Sequence, residues 1–143
     1  MARAGVTVRP KSEVRFELLD VGLLHIHEEL QPELLESTTD QIRTDGYLKR
    51  PILVADEHFV ILDGHHRFAA LKALGCRRIP AYVIDYFSDA VELTTWSNAA
   101  VKEVRKEEVI RRGLADTPFP PKTTRHIMRV KLPDVFTDLE DLM

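Results

Sequence analysis

The sequence predicts a single α+β domain built as a small mixed sheet with flanking helices. The 143 residues suit one compact domain. Segments with a two-residue hydrophobic period and segments with a helical period follow one another in mixed order. That mixed order argues for one α+β domain. No internal repeat or low-complexity stretch interrupts it, so residues 1–143 are read as one unit. Residues 1–12 are polar and basic and read as a loose lead-in.

Val14-Arg15-Phe16-Glu17-Leu18 alternates apolar and charged side chains, as a half-buried strand does. Residues 23–29 run from apolar to polar and lead into a helix, where Pro32 occupies an early position that tolerates proline. Leu34, Leu35, Thr38 and Ile42 form its face, and Asp45-Gly46 stops it. Residues 51–55 and 58–62 read as a hairpin across Asp56-Glu57. Phe68, Leu71 and Leu74 mark a helix from His65 that closes at Gly75. Residues 79–84 and 91–96 read as extended, and residues 101–112 as an amphipathic helix capped by Gly113. A stiff proline arm, Thr117 to Pro121, precedes a last strand-like stretch from Ile127 to Leu132.

Composition narrows the function. The net charge of −3 gives no global positive field for nucleic acid. No apolar run approaches the roughly 20 residues that span a bilayer, and no signal-peptide core opens the chain. A cytoplasmic protein with no membrane partner is expected. The single cysteine, Cys76, rules out an internal disulfide and is expected to be a small buried side chain.

Chemistry concentrates in three segments. Asp63-Gly64-His65-His66-Arg67 lies where an apolar strand meets a helix. Such a junction presents unpaired N–H groups at the positive end of the helix dipole, and the cationic-capable His65, His66 and Arg67 add side-chain donors within the first turn, giving the makings of a phosphate cradle. Asp63 has the alternative of capping that helix. Zinc binding by His65 and His66 is disfavoured, because neighbouring helical residues point about 100° apart. In His27-Glu28-Glu29 a carboxylate is placed to act as a general base, or simply to favour the following helix N-terminus. Lys122-Thr123-Thr124-Arg125-His126 offers five consecutive donor side chains for a carboxylate or phosphate, or else a solvated strand. The P-loop, the G-x-G-x-x-G fingerprint and the protein-kinase signatures are all absent.

Gln41-Ile42, Gly46, residues 51–54 and residues 62–70 resemble the ParB/sulfiredoxin superfamily. His27-Glu28, Asp85-Tyr86-Phe87, Thr95-Trp96 and Pro121 to His126 extend the resemblance to its archaeal free L-serine kinases. The resemblance implies a ParB/sulfiredoxin-like fold and transfer of phosphate from ADP or ATP, with Mg2+, to free L-serine. The product is O-phospho-L-serine for cysteine biosynthesis. It implies Glu28 as base and Asp63 near the acceptor hydroxyl or the magnesium, with Gln41, Gly64, His65, His66 and Arg67 on the nucleotide. It implies Trp96, Lys122, Thr123, Thr124, Arg125 and His126 around the amino acid. Longer members insert a lobe between the tryptophan and the Pro-Lys-Thr-Thr-Arg-His segments, so this chain reads as a minimal form.

Three rivals accompany the resemblance. One is a ParB-type nucleotide-binding module acting on DNA. Another is sulfiredoxin-like reduction, disfavoured because histidines stand where that chemistry needs a cysteine. The third is a kinase of another small hydroxylated metabolite.

Overall fold

A computed structural model describes residues 14–143, so the expected lead-in at 1–12 lies outside the described residues. The elements run β1 (Val14–Asp20), α1 (Pro32–Asp45), β2 (Tyr47–Leu48), β3 (Ile52–Ala55), β4 (Ile61–Asp63) and α2 (His65–Ala73). Then come β5 (Arg78–Ile84), β6 (Val91–Thr95), α3 (Lys106–Ala115), β7 (Thr124–Met128) and β8 (Thr137–Asp138). Single 3-10 turns lie at Val21–Leu23 and Leu139–Leu142.

The main sheet has the order β1-β5-β3-β4. β3 and β5 are parallel, and the outer pairs are antiparallel. Successive strand residues point to opposite faces, and here both faces are buried. Ile52, Val54, Ile79, Ala81 and Val83 join one core, which α1 and α2 cover with Ile42, Phe68 and Leu71. Leu53, Ala55, Tyr82 and Ile84 join a second core with Val109 and Ile110 of α3 and with Phe119. This is the predicted mixed sheet with flanking helices. Cys76 is buried in the first core, and burial pushes its thiol pKa up, in keeping with a packing role.

α1 begins with Pro32 in its first turn and ends at Gly46, whose φ of 80° only glycine adopts without strain. Elsewhere the boundaries differ from expectation. The hairpin loop is wider than two residues: Glu57 and Phe59 both take positive φ, and Val60 bridges to His25 as well as accepting from Ala55 N–H. Residues 24–31, which lead into α1 as expected, are extended. They are tied by His25 N–H to Phe59 O, Ile61 N–H to His25 O, Phe119 N–H to His27 O and Glu29 N–H to Phe119 O.

α3 starts at Lys106, not Val101, because residues 101–105 remain extended and Thr95 Oγ1 donates to Lys102 O. Gly113 sits inside α3, where a Cβ would come within 2.8 Å of Val60, and Asp116 takes the left-handed cap instead. The last long strand is residues 124–128 rather than 127–132, because β7 pairs with β6 in the register Thr95↔Thr124 to Val91↔Met128.

Candidate active site

The extended segment 24–31 threads between the start of β4 and Phe119, and this fixes Glu28. One carboxylate oxygen, Oε1, accepts from Thr123 N–H (2.9 Å), Thr124 N–H (2.7 Å) and Thr124 Oγ1 (2.9 Å). Oε2 makes no hydrogen bond among the described residues. The carboxylate is therefore oriented by one oxygen, with the other left for a ligand. The neighbouring His27 is fully buried. Its Nδ1 lies 2.7 Å from Ile61 O and its Nε2 lies 2.8 Å from Thr124 Oγ1. A carbonyl oxygen only accepts, so Nδ1 carries the hydrogen. Burial pushes this histidine down to about 4, so it is neutral at physiological pH.

Gly64 is the N-cap of α2 and no side chain caps the helix, so Asp63 is not a capping residue. The N–H groups of His65, His66 and Arg67 have no acceptor among the described residues, as expected at a helix start. Gly64 has φ 104°, and a Cβ there would lie 2.5 Å from Ile52 Cγ2 and 2.7 Å from Arg67 Nη2. Positive φ and this close packing both demand glycine. Gly64→Ala is expected to destabilise the fold by about 3 kcal/mol, adding left-handed strain to overpacking; an unchanged urea midpoint would contradict this packing.

The two histidines of α2 do not add positive charge. His65 is buried and its Nε2 accepts from His27 N–H at 3.2 Å. His66 Nε2 accepts from Gln31 N–H at 2.9 Å. Burial lowers both, with nearby positive charge adding to the effect: Arg67 beside His65, and Lys122 beside His66. The expected cradle of cationic side chains is thus corrected. These rings brace segment 27–31, and α2 offers an anion its main-chain N–H groups. Arg67 keeps the charge there: Nη2 lies 3.9 Å from Asp63 Oδ2, and its buried Nε has no partner.

β7 supplies the third wall. Alternation along the strand buries Thr124 and exposes Arg125. The Arg125 guanidinium stands 4.8 Å from the centre of the Trp96 ring, and Trp96 Nε1 donates to Thr124 O at 3.0 Å. His126 Nε2 lies 2.7 Å from the Tyr86 hydroxyl, and burial pushes this ring down to about 3. Thr123 is buried, with its hydroxyl donating to Pro120 O.

A cavity of about 390 Å³ brings these parts together. Glu28, Asp63, Gly64, His65, His66 and Arg67 line one part of it. Trp96, Lys122, Thr124, Arg125 and His126 line the rest. Two expected residues lie outside its lining. Gln41 is exposed on α1 one helical turn beyond Thr38, the last α1 residue to reach the cavity. Thr123 contributes only its N–H, to Glu28.

Gln31, Leu34 and Thr38 join the lining unforeseen, although their spacing of three and four is the ordinary signature of one helix face. His27 was also not anticipated as a bracing group, because an irregular segment has no period to reveal a buried ring. A second cavity of about 390 Å³ adjoins the first and shares Asp63, Arg67 and His126 with it. Apolar side chains such as Ile52, Tyr82, Met128 and Leu132 line it alongside Arg50 and Lys131. No group of three or more potential metal ligands occurs among the described residues. No helix among them is long and apolar enough to cross a membrane.

The family model of the ParB N-terminal domain matches residues 5–99. An ATP-dependent L-serine kinase of Staphylothermus marinus is 39% identical over 114 residues, which cover 76% of this chain and 45% of that protein. An ADP-dependent L-serine kinase of Thermococcus kodakarensis is 32% identical over 109 residues, 68% of this chain and 45% of that protein. The chain therefore spans less than half the length of either relative. Among solved structures, a free serine kinase in complex with AMP has the same fold, with a TM-score of 0.83 at 20% identity. That alignment covers 94% of this chain and 96% of the other.

Proposed function

The chain belongs to the ParB N-terminal domain family, and on that fold we propose that it is a kinase transferring phosphate from ATP or ADP to the hydroxyl of free L-serine. The observation that carries this reading is the cavity itself. It holds a carboxylate with one oxygen disengaged, an uncapped helix N-terminus and an exposed arginine on a strand. Those are the parts that a hydroxyl, a phosphoryl group and an amino-acid carboxylate require. The names of the two relatives support the same activity and leave both donors open.

Phosphoryl transfer passes through a loose transition state, so the protein's work is positioning and charge stabilisation. In this reading Glu28 Oε2 takes the proton of the serine hydroxyl. The N–H groups of residues 65–67, together with Arg67, hold the oxygens of the transferred phosphoryl group. Arg125 and Lys122 hold the serine carboxylate, and the face of Trp96 keeps the Arg125 fork in place. The second cavity, apolar with basic groups near Arg67, suits the nucleoside.

The donor set also suits magnesium in its usual form. Mg2+ takes one or two carboxylates and otherwise phosphate oxygens and water, and Asp63 is a largely exposed carboxylate on the cavity. Asp63 would hold the ion against the nucleotide phosphates, where it would neutralise developing charge.

A transfer screen tests the proposal. Purified protein is given Mg2+ and ATP or ADP with L-serine, L-threonine, ethanolamine or glycerol. L-Serine is expected to be phosphorylated with kcat/KM at least about 100-fold above ethanolamine, which lacks the carboxylate. Nucleotide binding with no acceptor phosphorylated would overturn the kinase reading.

A further inference from the structure

The hydrogen bonds around Thr124 do not add up in a single arrangement. Its hydroxyl lies 2.8 Å from His27 Nε2 and 2.9 Å from Glu28 Oε1. His27 Nδ1 holds its hydrogen toward Ile61 O, so Nε2 of the neutral ring is an acceptor. An ionised Glu28 is an acceptor as well. One hydroxyl hydrogen thus faces two acceptors, both held by main-chain contacts that leave little freedom to move away. His27 is clamped by its own N–H to His65 Nε2, and Glu28 by two backbone N–H groups.

From this geometry we infer that Thr124 and His27 are positioning residues for proton transfer, the Thr124 hydrogen bonding Glu28 while it is ionised and turning to His27 when Glu28 is protonated. The inference rests on the reading of Glu28 as base. During transfer the serine O–H bond breaks and its proton goes to Glu28. The serine oxygen bonds phosphorus, and the bond from phosphorus to the nucleotide oxygen breaks, with its electron pair staying on the departing nucleotide. As Glu28 loses its charge, the Thr124 hydrogen rotates to His27 Nε2, which until then lacks a donor. The Thr124 hydrogen therefore has an acceptor at both ends of the reaction, and no proton leaves the site through the buried ring.

Several other titratable groups surround this unit. From β4 and α2, Asp63, His65, His66 and Arg67 line the cavity with Glu28. From the arm and β7 come Lys122, Arg125 and His126. His27 itself faces His65 and His126, with ring centres at 4.6 and 5.6 Å. Burial keeps both of those rings neutral, so neither competes for the shared hydrogen through charge.

The test compares the pH profiles of kcat for wild type, Thr124→Val and Thr124→Ser, with Glu28→Gln alongside. Thr124→Val keeps the shape and the backbone donor but removes the hydroxyl. It is expected to lower kcat about 10-fold, because the Glu28 carboxylate loses one of the three contacts that orient it, and to move the acid limb to higher pH, because the ionised carboxylate loses a donor. Thr124→Ser is expected to recover most of the loss and to return the limb to its wild-type position. Nitrogen NMR of the imidazoles gives a readout independent of turnover: the His27 Nε2 resonance of the resting enzyme is expected to move when Glu28→Gln withdraws the charge. A Thr124→Val profile lowered equally at every pH, with its limb unmoved, would overturn the shared hydrogen while leaving Glu28 as base. An active Glu28→Gln would instead remove the base reading itself.

Discussion

Replacing Glu28 by Gln is expected to lower kcat by about 10²- to 10⁴-fold, the usual range for removing a general base. The fold and the nucleotide affinity should stay close to wild type. The geometry makes this substitution unusually clean. The glutamine carbonyl can occupy the place of Oε1 and accept the same two backbone bonds from Thr123 N–H and Thr124 N–H, while the Thr124 hydroxyl turns to His27. Only the disengaged oxygen is lost, exchanged for an amide that cannot take a proton. A drop in kcat with unchanged thermal stability would place the effect on chemistry. A variant that turns over normally would reduce Glu28 to a clasp between segment 24–31 and β7.

The second large effect is on acid stability. His27 is fully buried and holds its proton only below about pH 4, while in the unfolded chain it protonates near 6.5. His126, showing part of its ring to the cavity, is shifted in the same direction, to about 3. The unfolded state therefore binds protons over a range in which the native state does not, so stability falls as pH drops. The stabilisation is complete above about pH 6.5 and is lost progressively toward pH 4. For His27 alone this amounts to about 3 kcal/mol. Urea midpoints taken from pH 7.5 down to 4.5 are expected to fall steadily, and the His27 and His126 ring resonances are expected to stay in their neutral positions through pH 5. A midpoint that does not change across that range would mean that water reaches these rings.

The histidines also show which parts of the site the sequence can reveal. The helix start at His65 was readable because an apolar strand, a glycine and a helical period meet there, and the structure puts α2 at that residue. The use of its histidines was not readable. Their type suggested cationic donors, and only the passage of segment 24–31 across the start of α2 turns each Nε2 into an acceptor for a backbone N–H. Gln41 illustrates the opposite limit: its place in a family-like motif says nothing of which way the helix faces, and the structure puts it on solvent.

The pairing of β6 with β7 joins residues about thirty positions apart. Local periodicity carries no information at that range, so the strand start was misplaced toward residue 127. Gly113 was misread for a related reason. A glycine after a helical run usually ends the helix, but here the close approach of Val60 demands it inside the helix. By contrast, Pro32 and Gly46 act through their own backbone preferences, and both ends of α1 fell where the sequence placed them.

The proposed reaction is phosphate transfer to free serine in the cavity that joins Glu28 to the start of α2. Phosphorus NMR of one mixture tests it most directly: wild-type protein, Mg2+, ATP or ADP, and L-serine. A new phosphomonoester resonance matching O-phospho-L-serine is expected, growing in step with loss of the donor's terminal phosphate and absent with Glu28→Gln. Release of inorganic phosphate alone, or an unchanged nucleotide spectrum in a mixture where the nucleotide is bound, would contradict it.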